Sequence, residues 1–133
     1  MEKSTLCLIR DLSRKLSNAA DFDSAYLTWK ETGGDMAGLS LRYSDAIKEY
    51  REAADMIREI IARTPHHYSL GVRAQTELAE YWYVRTEKTE MMGYDADKAY
   101  DTTLVHYRKL LMMLGEELMY ALRIIQEGGV ECK

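Results

Sequence analysis

The stretch YDTTLVHYRKLLMMLGEELMYALRII, residues 100–125, decides the fold. Through it Tyr100, Leu104, Tyr107, Leu111, Leu114, Leu118, Ala121 and Ile125 recur alternately four and three apart. That spacing lines one face of a long α-helix and matches the seam along which helices of a bundle pack. Working back along the chain, three more blocks of similar length emerge. They are divided by Gly33-Gly34, Thr64-Pro65 and Gly93-Tyr94-Asp95, and Gly128-Gly129 closes the last block. Each block holds about 27 residues, or roughly 40 Å of helix at 1.5 Å per residue. Equal rods joined by short loops predict an all-α, antiparallel up-down-up-down four-helix bundle, one helical-bundle domain over residues 1–133.

The other blocks carry seams of their own. Helix 1, about Lys3 to Thr32, reads Ile9, Leu12, Leu16, Ala19, Asp23, Tyr26, Lys30; Asn18 to Asp23 lacks a breaker but holds poor helix formers, which leaves a kink or break there open. Helix 2 starts near Asp35 or Ser40, both good N-caps. It reads Tyr43, Ala46, Tyr50, Ala53, Ile57, Ile60, flanked by Ile47, Ala54 and Ile61. Thr64 as N-cap and Pro65 at the first position open helix 3, which reads Leu70, Ala74, Leu78, Tyr81, Arg85, Lys88, Met92. Asp95 caps helix 4, with Asp97 and Asp101 near its positive end.

The chain has 133 residues, 47% hydrophobic and 30% charged. That composition buries a single core and argues against disorder. A net charge of −4 argues against nucleic acid as a partner. The apolar run Leu6-Cys7-Leu8-Ile9 is too short for a leader or a membrane span. No membrane association is therefore expected, and the cytoplasm is the default location. Two cysteines near opposite ends are expected as reduced thiols there.

One half of the predicted core is polar. Helices 1 and 3 run parallel, which sets Asp23 and Arg85 at one level, with Lys88 a turn further on. Tyr43, Tyr100 and Tyr107 come from the other two helices in the same half. The expectation is an Asp23–Arg85 pair across the bundle. It is either a structural ion pair or the lining of an anion or small-molecule site made by Asp23, Tyr43, Arg85, Lys88, Tyr100 and Tyr107.

Catalytic signatures are sparse. Cys7, His66, His67 and Cys132 fall at the other end of the bundle, but their spacing matches no zinc site. No His follows a Glu by three residues, as a di-iron bundle requires, and no phosphate-binding glycine loop occurs. No metal or other cofactor is expected. Glu49-x-x-Glu52 followed by Glu77-x-x-Glu80 resembles the acidic pattern of the all-α nucleoside-triphosphate pyrophosphatases. The last position is Glu80 where that family carries Asp. The resemblance implies magnesium held at substrate phosphates by carboxylates of two helices. Helical phase sends Glu52 outward, opposite Tyr50, Ala53 and Ile57.

Helix 4 is apolar on more than its seam. Leu110, Met113, Tyr120 and Ile124 form a second stripe, and Val105, Met112 and Met119 a third. A bundle helix needs one apolar stripe, and monomers seldom expose large apolar patches. The expectation is a non-enzymatic bundle that works by association. It is expected to form a homodimer through part of the Leu110, Met113, Tyr120, Ile124 stripe, with a further protein partner left open.

Overall fold

The computed structural model describes residues 4–92, 96–128 and 132, and their side chains except those at 89–92 and 125. Four helices run through it, α1 (Thr5–Glu31), α2 (Met36–Arg63), α3 (Leu70–Met92) and α4 (Ala96–Gln126). No strand occurs among the described residues. Ser4 starts α1 by accepting the Cys7 N–H on its hydroxyl, 3.2 Å. The helix then continues unbroken through Asn18–Asp23. Asp35 caps α2 by accepting the Gly38 N–H at 2.8 Å.

The turn between α1 and α2 is built around one ring. Gly33 takes φ 75°, a left-handed conformation in which glycine is unstrained. Trp29 folds over the turn and donates its indole N–H to the Asp35 carbonyl, 3.0 Å. Arg42 lies over the Trp29 ring at 3.8 Å. A Cβ at Gly34 or Gly38 would stand 2.2 or 2.3 Å from Trp29 ring atoms. These glycines therefore make room for the ring as well as ending and starting helices.

α1 packs along α2 and α3 along α4, α1 also lies against α4, and α2 touches α3 least. Neighbouring helices run antiparallel, as cross-links at both ends of each pair demand. Lys15 meets Glu52 while Trp29 meets Gly38; His67 meets Glu117 while Thr86 meets Thr103. The architecture is the expected all-α four-helix bundle, with α1 and α3 on its diagonal. Three seams lie inside as read: Ile9 to Tyr26 of α1, Tyr43 to Ile60 of α2, and Tyr100 to Ala121 of α4 with Leu111 partly buried. Ala19, Ala46, Ala53 and Ala54, all fully buried, let α1 and α2 approach closely. The turn Gly93-Tyr94, the Asp95 cap, Gly129 and the side chains of Met92 and Ile125 lie outside the described residues.

Helix 3 departs from the expectation at both its start and its face. Thr64 ends α2 instead of capping α3, bonding back to the Ile60 carbonyl through its N–H at 2.8 Å and its hydroxyl at 2.7 Å. Ser69 takes over as the cap, accepting the Val72 N–H at 3.2 Å. The buried face is Val72, Gln75, Thr76, Ala79 and Thr86, while Leu70, Ala74, Leu78, Tyr81, Arg85 and Lys88 are exposed. The inner face carries hydroxyls because each finds a partner inside. Thr76 donates to the Val72 carbonyl, 2.9 Å. Thr86 meets the Thr103 hydroxyl of α4 at 2.7 Å. Gln75 donates to the His106 carbonyl, 2.7 Å. Satisfied polar groups of this size cost little to bury.

A second correction concerns the cysteines. Cys7 and Cys132 form a disulfide, with Cα atoms 5.5 Å apart across 125 residues of sequence. Cys7 lies off the α1 seam, where helical phase alone assigns it to solvent, yet it is buried.

Candidate functional site

The polar half of the core is real, but its cation comes from a different helix. Asp23 of α1 is gripped by Arg108 of α4 through two bonds, Nε to Oδ2 and Nη2 to Oδ1, each 2.6 Å. Tyr50 of α2 donates to the same carboxylate at 3.0 Å. A forked guanidinium–carboxylate pair of this length is strong and directional. Asp23 keeps only 5% of its side-chain surface, whereas Arg108 keeps 29% and so reaches water. The bond to Asp23 holds the Arg108 guanidinium above its ordinary pKa, against the opposing effect of burial. Burial, with Asp23 beside it, holds the Tyr50 phenol protonated well above its usual range.

Tyrosines fill the space around this pair. Tyr43 stacks on Tyr100 with ring centres 4.0 Å apart, and Tyr50 on Tyr107 at 5.2 Å. Tyr100 donates to the Ser40 hydroxyl, 3.1 Å. Tyr26 donates to Asp101 at 2.8 Å, and Lys30 pairs with the other oxygen of that carboxylate. The Tyr107 hydroxyl is buried without a hydrogen-bond partner among the described residues.

Of the six residues expected to line a ligand site, Asp23, Tyr43, Tyr100 and Tyr107 lie in this half of the core. Arg85 and Lys88 lie on the exposed face of α3. Arg85 donates to the Tyr81 hydroxyl, 3.0 Å, and rests over the Trp82 ring. The expected Asp23–Arg85 pairing is therefore replaced by Asp23–Arg108. The reason is topological, since α1 and α3 are diagonal, and a close pair forms between adjacent helices. Asp23 sits a little past the middle of α1 and Arg108 a little before the middle of α4. Antiparallel packing brings those positions to one level, and that signal was present in the sequence.

The four glutamates of the pyrophosphatase-like pattern are engaged by cations. Lys15 lies 3.0 Å from Glu49 and 2.6 Å from Glu52, and Glu52 foremost holds the Lys15 ammonium above its ordinary pKa. Arg58 reaches Glu77 at 3.2 Å and Arg51 reaches Glu80 at 3.4 Å. These pairs tie α1 to α2 and α2 to α3. Among the described residues no three His, Cys, Asp or Glu side chains gather where a metal ion could be held. A cleft of about 340 Å³ runs beside the α2–α3 pairs, bounded by Ser44, Lys48, Arg51, Asp55 and Tyr83. At the other end of the bundle His67 pairs with Glu117, and the two sulfurs are joined to each other.

The outer surface of the α3–α4 hairpin exposes a group of large apolar side chains. Val105, Met112 and Met119 expose 52%, 81% and 67% of their surface. Met113 and Tyr120 of α4, and Leu70, Leu78 and Tyr81 of α3, are exposed as well. Of the four residues expected at an interface, Met113 and Tyr120 are thus on the surface. Ile124 is half-buried and Leu110 belongs to the core, because that stripe turns toward α3. No helix among the described residues is long and apolar enough to cross a membrane. No known protein family, curated protein or solved structure matches the chain.

Proposed function

We propose that this protein is a non-enzymatic helical bundle that works by association with a second copy of itself, through the outer face of α4. The observation that carries the reading is the exposed stripe Val105, Met112, Met119, which recurs every seven residues on the side of α4 turned away from the core. Exposed apolar surface costs about 25 cal/mol per Å² relative to burial. Met is also a side chain that adapts its shape to a facing surface. The charges Lys109 and Glu116 interleave the stripe, a pattern that suits a copy of the same helix.

The rival readings have less support. An anion site in the polar half lacks the cations Arg85 and Lys88, which face solvent, and Asp23 is already taken by Arg108 and Tyr50. A magnesium-dependent pyrophosphatase needs free carboxylates converging on one point, and each of the four here is paired to a cation. The Cys7–Cys132 bond favours an oxidising compartment, or the interior of a hyperthermophile, over an ordinary reducing cytoplasm.

The test is the mass in solution. Wild-type protein at about 100 µM, well above the micromolar Kd of a modest interface, should sediment as a dimer. Met112→Lys with Met119→Glu should sediment as a monomer of unchanged helicity. A wild-type monomer at that concentration would overturn the reading.

A further inference from the structure

The outer stripe of α4 carries an ordered set of charges. In sequence it reads Val105, Lys109, Met112, Glu116, Met119, Arg123. The steps alternate four and three, so α4 bears a second heptad-like seam opposite the one that faces the core. Lys109 and Glu116 are both exposed, and neither makes an ion pair among the described residues.

This seam fits itself when a second α4 is turned end for end about an axis near Met112. Lys109 of each copy then faces Glu116 of the other, so the ion pair forms twice. Val105 of each copy meets Met119 of the other, and the two Met112 side chains meet on the axis. An in-register parallel pairing would set Lys109 against Lys109 and Glu116 against Glu116, and like charges held opposite one another are costly. Two-fold dimers with a self-complementary patch are also the commonest closed assembly. The stripe from Val105 to Met119 is about 21 Å long at 1.5 Å per residue. Met113 and Tyr120, also exposed, stand beside it and broaden the patch toward the roughly 800 Å² per partner that a stable interface buries.

We infer that the protein forms a two-fold dimer in which the two α4 helices pack antiparallel about Met112, with Lys109 and Glu116 exchanging ion pairs between copies. This inference rests on self-association through the outer face of α4.

Charge reversal followed by sedimentation velocity tests it. Lys109→Glu alone sets Glu against Glu twice, and Glu116→Lys alone sets Lys against Lys twice. Each should weaken the dimer by about tenfold or more in Kd. The double reversal Lys109→Glu with Glu116→Lys should recover wild-type affinity to within about threefold, because it restores both opposite-charge pairs across the interface. Both positions are exposed, so helicity should stay near wild type in all three. If wild type dimerises but the single reversals leave Kd unchanged, or the double reversal does not restore it, the antiparallel arrangement is wrong while self-association stands. If wild type is a monomer throughout, self-association fails as well.

Discussion

Asp23 and Arg108 share one ion pair but not one environment, and this makes their substitutions unequal. Asp23 is enclosed, while Arg108 has a route to water. Arg108→Met strands a carboxylate that keeps only the Tyr50 hydroxyl, and should cost about 3–5 kcal/mol, the usual cost of an uncompensated buried charge. Asp23→Asn leaves an arginine that swings outward and an amide that keeps the Tyr50 bond, and should cost less. Replacing both by apolar residues should cost less than Arg108→Met alone. Urea denaturation midpoints measure all three, and equal costs for the two single changes would show that the carboxylate is not the sequestered partner. His106 gives a second expectation at this scale. Its ring stacks on Trp82, ring centres 5.7 Å apart, and burial first, then Lys109, hold its pKa below the ordinary 6.5. A histidine depressed in the folded state contributes stability above its unfolded pKa, and that contribution is lost as pH falls through the folded value. The His106 imidazole should therefore titrate below pH 6.5 by NMR. Its share of the acid destabilisation should disappear in His106→Gln.

At the scale of the helix, each seam predicts its own mutations. Leu114 and Leu118 are buried at the centre of the most regular seam. Leu114→Ala and Leu118→Ala should each cost about 2–5 kcal/mol in stability, the range for emptying a packed site. Two glycines should respond in opposite directions. Gly115 has open space where a Cβ would go, so Gly115→Ala should stabilise α4 by about 0.5–1 kcal/mol. Gly38 has the Trp29 ring there, so Gly38→Ala should destabilise by about 1–3 kcal/mol despite its better helix propensity. Thermal melts of both variants check the signs. α1, α2 and α4 were legible in the sequence because their inner positions hold large apolar residues at regular spacing. The inner face of α3 was not, because Val72, Thr76, Ala79 and Thr86 are small or hydroxylated, while its bulkier Leu70, Leu78 and Tyr81 lie outside. Periodicity counts hydrophobicity, and it cannot see that Thr86 has Thr103 waiting across the interface. The candidate site divided along the same line. Tyr43, Tyr100 and Tyr107 sit on well-marked seams and were placed in the polar half. Tyr50, which bonds Asp23, was read only as a seam residue. Arg108 lies beside its seam and is identified only once α4, not α3, is recognised as the neighbour of α1.

For the molecule as a whole, the disulfide contributes on the scale of a large core side chain. Closing a loop of 125 residues removes freedom from the unfolded chain. Bonds of this kind stabilise by about 2–5 kcal/mol. Reduction, or Cys132→Ser, should lower the melting temperature without altering the helical content of the folded state, as circular dichroism with and without reductant would show. The α2–α3 side, where α2 makes its sparsest contact and the Arg51–Glu80 and Arg58–Glu77 pairs bridge the helices, should open first on heating. The amides of α3 should accordingly exchange hydrogen sooner than those of α1. The disulfide has a mechanical consequence too. It bridges residues 7 and 132, so a pull applied outside those positions travels from one strand of chain directly to the other through the sulfur bridge. The helical chain between Cys7 and Cys132 carries none of the load. Held in tension in this way, the oxidised protein is an inextensible link with a folded passenger, and reduction converts it into a spring that lengthens as its helices come apart.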